Sequence, residues 1–140
     1  MLLVLDFNEY IGGLGSLTSP ASIRLFKYLT STQVEHRIFA SRTILDEVRR
    51  NLPPARFSTV WDMLVVLDVS IVEEWEIPDH LHAKFIAMGF KPGDAAIAAC
   101  AEASGAEAVV TENRDFHGRE GLPFRPLRAE EFLKEHETAK

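Results

Sequence analysis

The sequence predicts one α/β domain: a three-layer sandwich with a central, mostly parallel sheet flanked by helices. Three observations predict it. Short continuous apolar runs recur (Leu2 to Leu5, Ala108 to Val110), and Val65 to Val69 adds a β-branched run. Longer stretches with apolar residues at helical spacing separate them, so successive strands need right-handed crossovers. The 140 residues, 46% hydrophobic and 26% charged, suit one domain over 1–140 with its own core, and no linker, repeat or low-complexity tract stands out.

Taken in order, Leu2 to Leu5 reads as a central, doubly covered strand, followed by a glycine-rich loop from Ile11 to Ser16. Ser19-Pro20 reads as an N-cap and first helical residue, and Ile23, Phe26 and Leu29 give that helix a buried face. Arg37 to Ala40 is the second strand. Ser41 or Thr43 caps the next helix, whose apolar stripe is Ile44, Leu45, Val48 and Leu52 and which Pro53-Pro54 ends. Phe57, Val60, Trp61 and Leu64 mark a further helix, and the β-branched run from Val65 to Val69 a strand. Pro78-Asp79 opens a helix with Leu81, Phe85 and Met88 inward and Gly89 as its stop. The alanine-rich stretch from Asp94 to Ser104 reads as a closely packed helix stopped by Gly105. Ala108 to Thr111 is a buried strand, Phe124 and Leu127 form a last short strand, and Ala129 to His136 a terminal helix.

The net charge of −6 argues against a simple electrostatic nucleic-acid binder. It is compatible with an enzyme that approaches phosphates through a bound divalent cation, where clustered carboxylates are required. The N-terminal MLLVLDFNEY lacks a basic segment and an acid interrupts its apolar run, so no signal peptide is expected; nor is a membrane span. The lone Cys100 lies in the alanine-rich helix and suits buried packing in a reducing, cytoplasmic setting.

In open parallel sheets, ligands gather beyond the C-terminal ends of the strands. Asp6 directly follows the first strand, Asp115 lies just past the strand ending at Thr111, and Asp94 opens a helix. Glu47 lies a turn into the helix after the second strand, nearer its apolar stripe than Asp46. Each has an ordinary reading: a turn acid, a solvated loop acid, a helix cap, a first-turn acid suited to the helix dipole. Their weight lies in falling where one fold would gather them. Carboxylates so placed repel one another, and Mg²⁺ or Mn²⁺, which take oxygen ligands, relieve the conflict.

With these residues in view, the sequence resembles the PIN-domain family, and more narrowly its VapC-like ribonuclease toxins. The motifs are LDFN (Leu5 to Asn8), SRTILDEVRRNL (Ser41 to Leu52), GDAAIAACAEASGAEAVVTENRDF (Gly93 to Phe116) and, weakly, the tail from Pro126 to Leu133. The third is the most specific, and the likeness is weakest from Pro53 to Pro92. The resemblance implies a PIN-like sandwich and an endoribonuclease that cuts RNA by water attack at phosphorus, leaving 5′-phosphate and 3′-hydroxyl ends. It places Asp6, Glu47, Asp94 and Asp115 around one or two Mg²⁺ or Mn²⁺ ions, with Asn8, Thr111 and Asn113 steadying the site. It also implies a homodimer and neutralisation by a small antitoxin protein. Two departures stand out. Phe7 follows Asp6 where the family commonly has Thr or Ser. Many relatives with Asn at this point place the acid three residues later, whereas Asp115 is two after Asn113. In relatives with the shorter spacing, an acid often takes the Asn113 place, so the fourth ligand is open between Asp115 and Asn113.

Other signals are weaker. His80 and His82 point about 200° apart on a helix and do not converge on zinc. His117 reads as a loop histidine, and Gly12, Gly13 and Gly15 match no phosphate-binding fingerprint. Arg49, Arg50, Arg114 and Arg119 could contact RNA phosphates or simply be solvated. Two rival functions remain: a PIN-like module that binds RNA or protein without cutting, and a receiver-type signalling domain with Asp68 after a strand as phospho-acceptor. The receiver lacks its paired acids after the first strand and a lysine after Val110.

Overall fold

Leu2–Leu5 (β1) is the middle strand of the sheet, fully buried from Leu3 onward, as its uninterrupted apolar run requires. A computed structural model describes residues 1–14, 19–31 and 35–137. Arg37–Ser41 (β2) and Ser70–Val72 (β3) lie on one side of β1; Ala108–Val110 (β4) and Arg125–Leu127 (β5) lie on the other. The order is β3-β2-β1-β4-β5 and every pairing is parallel. The register sets Val4 opposite both Phe39 and Val109.

Among the described residues, seven α-helices connect and cover the strands: Phe7–Leu14 (α1), Pro20–Ser31 (α2), Arg42–Arg50 (α3), Pro54–Val66 (α4), Asp79–Ala87 (α5), Pro92–Ser104 (α6) and Ala129–Glu137 (α7). The chain steps one way from β1 to β3 and then jumps back past β1 to β4. Right-handed crossovers therefore place α1 to α4 on one face and α5 and α6 on the other. The alanines of α6 let it lie close: Ala95, Ala98, Ala99 and Ala101 are all buried, and Gly105, in the left-handed region at φ 71°, ends the helix. Ser41 caps α3, its hydroxyl accepting from Ile44 N–H at 3.2 Å, which selects it over Thr43.

Three expectations are corrected. Ile11 to Leu14 is not loop but the second half of α1; Gly15 and Ser16 lie outside the described residues. The glycines serve helix packing: a Cβ at Gly13 would sit 2.4 Å from the Phe26 ring and 2.9 Å from the Ser22 carbonyl on α2. The run from Val65 to Val69 is not a strand. Val65 and Val66 end α4, 67% and 54% exposed, because Val60, Leu64 and Leu67 already supply that segment's buried side. Strand β3 begins at Ser70, after a turn in which Asp68 takes φ 52°. On α2 the buried face is Leu25, Phe26, Tyr28 and Leu29, with Ile23 half-buried. Asp68 thus precedes its strand, at the end opposite to where a receiver's phospho-acceptor would sit.

Candidate active site

The chain leaves β1 and β4 in opposite directions, so a crevice opens between their C-terminal ends. Asp6 emerges there, its N–H donating to the Val110 carbonyl at 2.9 Å. The side chain is 1% exposed, and Oδ2 accepts from the Thr111 hydroxyl at 2.7 Å. Oδ1 is buried with no hydrogen-bond partner among the described residues. Burial raises the Asp6 pKa above the ordinary carboxylate range, and the nearby Asp94 charge adds to this. The Thr111 hydroxyl and the backbone amides of Phe7 and Asn8, at the start of α1, oppose it.

Asp94 is the third residue of α6. Lys91 occupies the N-cap position, so Asp94 does not cap the helix; it accepts from Asn113 Nδ2 at 3.1 Å. Its pKa is also raised, first by burial and then by the Asp115 charge; the Asn113 bond, Lys91 and Arg119 pull the other way.

The loop after β4 is held by its own polar groups. Thr111 Oγ1 accepts from Asn113 N–H at 3.0 Å, and Asn113 Oδ1 accepts from Asp115 N–H at 2.9 Å. That backbone donor fixes the amide's orientation, leaving its nitrogen for Asp94. Both ends of Asn113 are thus engaged in the loop's architecture, while the Asp115 carboxylate is exposed and close enough for Asp94 to feel its charge. Phe116 closes the loop: fully buried, its ring centroid is 4.9 Å from Phe90 and 6.3 Å from Phe124. His117 pairs through Nε2 with the Thr111 carbonyl at 2.9 Å. Arg119 donates to the Asp115 and Met88 carbonyls and lies 4.1 Å over the Phe90 ring, a loop brace rather than a free cation.

Glu47 sits on α3, ion-paired with Arg50 one turn on, as Asp46 is with Arg49. It lines a cleft of about 230 Å³ together with Phe7 and Asp94. Asp6, Asp94, Asn113 and Asp115 are therefore linked at the β1/β4 crevice, whereas Glu47 shares with them only the cleft that it and Asp94 both line.

Among the described residues no three Asp, Glu, His or Cys side chains form a closed metal-binding group. A Mg²⁺-type ion does not need one, since it is held by one or two carboxylates and completes its shell with waters and substrate phosphates. The donors fit such an ion: all are oxygens, Asp6 has an orphaned buried oxygen, and the Asp94 charge raises the cost of ionising Asp6 as the Asp115 charge does that of Asp94.

One acid was missed from the sequence. Glu9, fully buried on α1, accepts from the Ser22 hydroxyl at 2.8 Å and lies beside Glu112, whose own carboxylate accepts from Ala129 N–H at the start of α7. Burial first, then Glu112, pushes its pKa well up. Placing the helix start at Phe7 would have put Glu9 in its first turn, facing inward; the loop reading hid that face.

The PIN domain family profile matches residues 18–121, a span that includes Glu47, Asp94 and Asp115 and begins after Asp6. No curated protein sequence matches the chain at a significant level. Among solved structures, VapBC2 from Rickettsia felis, bound to a DNA fragment from their promoter, superposes with a TM-score of 0.62 at 16% identity, covering 91% of this chain and 98% of that one. FitAcB from Neisseria gonorrhoeae gives 0.60 at 13%, covering 91% and 97%. VapC20 from Mycobacterium tuberculosis, a Sarcin-Ricin loop cleaving toxin, gives 0.56 at 17%, covering 89% and 99%. At these identities the likeness is one of fold.

Proposed function

The chain belongs to the PIN domain family, and on that footing we propose that it is a divalent-metal-dependent endoribonuclease, the toxin half of a toxin–antitoxin pair. The observation that supports this most is the pair Asp6 and Asp94 at the topological switch point. Asp6 is buried and Asp94 half-buried, both have raised pKa values, and each is held by a dedicated side chain from the end of β4 or the loop after it.

In this reading Asp6 and Asp94 hold Mg²⁺ or Mn²⁺, with Asp115 beside them and Glu47 across the cleft. When bound, the ion polarises a phosphodiester and lowers the pKa of an attacking water. The chain's own task is positioning. Thr111 keeps the Asp6 carboxylate oriented and ionised. Asn113 ties Asp94 to the loop that presents Asp115, so it acts as a strut and Asp115 takes the fourth ligand place. Arg119 and Phe116 fix the loop's far side.

A cytoplasmic setting and a protein partner belong to the same proposal. No helix among the described residues is long and apolar enough to cross a membrane. On α4, Trp61, Val65 and Val66 are exposed beside half-buried Phe57, a stripe that a partner chain would cover.

The test is incubation of the purified protein with structured RNA and Mn²⁺, with and without chelator, beside Asp6→Asn and Asp94→Asn. Metal-dependent cleavage lost in both variants is expected. Cleavage that persists in both would overturn the assignment, and tight RNA binding by a wild type that never cuts would favour the non-cutting module.

A further inference from the structure

Phe7 stands next to a proposed metal ligand, and the structure gives it a position that the hydrolytic site does not use. It is the first residue of α1, directly after Asp6, so its backbone leaves the same strand end. The ring is half-buried, packed against the core, and lines the 230 Å³ cleft. Ile44 of α3 and Ile97 of α6 supply further apolar wall, while Glu47, Asp94 and Lys91 supply the polar part. The cleft thus runs from the carboxylates onto an apolar floor. Its volume equals the share of about eight liquid waters, on the scale of a flat heterocycle rather than a folded partner.

We propose that this cleft is a nucleobase subsite in which Phe7 stacks on the unpaired base of a nucleotide flanking the scissile phosphate. The inference rests on the ribonuclease reading and deepens it by naming the surface that holds a base beside the cut. A phosphate held near Asp6 and Asp94 has its own nucleoside one sugar away, and the adjoining surface is aromatic and aliphatic. Single-stranded RNA is read by splaying bases onto aromatic rings, and stacking tolerates any base. Lys91, exposed at the α6 start and near enough to act on the Asp94 charge, is a cation for an adjacent phosphate.

The experiment maps the wild-type cut in an RNA hairpin with Mn²⁺, then replaces each flanking loop nucleotide in turn by an abasic ribose. Each RNA is tested against wild type, Phe7→Leu and Phe7→Tyr. One abasic position is expected to raise KM by about 5- to 150-fold with wild type, the range of one base–aromatic stack, with kcat less affected. Phe7→Leu should raise KM comparably on the intact RNA and show little added loss on the abasic one, the non-additivity of two groups in contact; Phe7→Tyr should retain wild-type KM. Gly93→Leu gives a second approach. A Cβ there meets nothing within 4 Å, so a side chain can be grown at the cleft without disturbing the fold, and KM should rise. Additive losses, or cleavage indifferent to every abasic position and to Gly93→Leu, overturn the subsite and leave the nuclease reading standing. A wild type that does not cut overturns both.

Discussion

The Thr111 hydroxyl donates to Asp6 Oδ2 across 2.7 Å, joining the exits of two neighbouring strands 105 residues apart in sequence. Both groups are buried, so the bond is the main local force keeping the Asp6 carboxylate charged against its desolvation. Thr111→Val keeps the shape and removes the donor. The expected result is a loss of about 1–3 kcal/mol in urea unfolding. The acid limb of the cleavage pH profile should also move to higher pH, because the Asp6 pKa rises further. An unmoved acid limb would show that Thr111 only packs.

Asn113 and Asp115 separate by their bonds. Because both ends of the Asn113 amide are engaged, Asn113→Ala should loosen the loop and cut cleavage by about 10–100-fold, in the range of an outer support to a metal ligand. Asp115→Asn keeps the backbone bond to Asn113 and removes only the carboxylate charge. It should cost more activity than Asn113→Ala and raise the Mn²⁺ concentration needed for half-maximal cleavage. The reverse ranking would assign the ligand place to Asn113.

Metal binding should be visible without any RNA. An ion that binds the folded chain at 100 times its Kd stabilises it by about 2.7 kcal/mol. Mn²⁺ should therefore raise the melting temperature of wild type and not of the Asp6→Asn, Asp94→Asn double variant. In metal-free buffer, by contrast, Asp94→Asn alone should melt no lower than wild type, since it removes a charge that burial and Asp115 disfavour. Equal Mn²⁺ shifts in wild type and the double variant would place the ion elsewhere.

Glu9 predicts a pH dependence of stability. Burial and the neighbouring Glu112 push its pKa up to about 9 in the folded chain, above the unfolded value. A carboxyl with a raised folded pKa contributes stability that is complete below its unfolded pKa and is lost as pH rises through the folded one. Glu9→Gln removes that loss. The variant's melting temperature should gain on wild type progressively as pH rises from the ordinary glutamate range towards about 9, then hold level. Asp6 and Asp94 titrate in the same sense in both proteins, and of the two only Asp6 also acts on Glu9. Parallel melting curves across that window would show that the folded-state pKa of Glu9 is not raised.

Much of this molecule was legible from local pattern. The strands β1, β2, β4 and β5, the caps at Ser19 and Ser41 and the stops at Gly89 and Gly105 follow from apolar runs and backbone preferences that act within a few residues. The misread segments are those where packing partners decided. Gly12 and Gly13 read as a loop until Phe26 and Ser22 are seen pressed against them, and the valines ending α4 read as strand because their exposure is invisible in sequence.

The same division runs through the site. The sequence alone determined that Asp6, Asp94 and Asp115 fall at strand exits or a helix start, because that depends only on where elements end. Tertiary structure decided what each acid meets: Thr111 on Asp6, Asn113 on Asp94, Glu112 beside a buried Glu9, and Phe7 in the cleft with Glu47. Those are contacts between distant segments, fixed by parallel register and by which face each helix turns inward. Desolvation, which raises the pKa values of Asp6 and Asp94, exists only once those segments have closed over them.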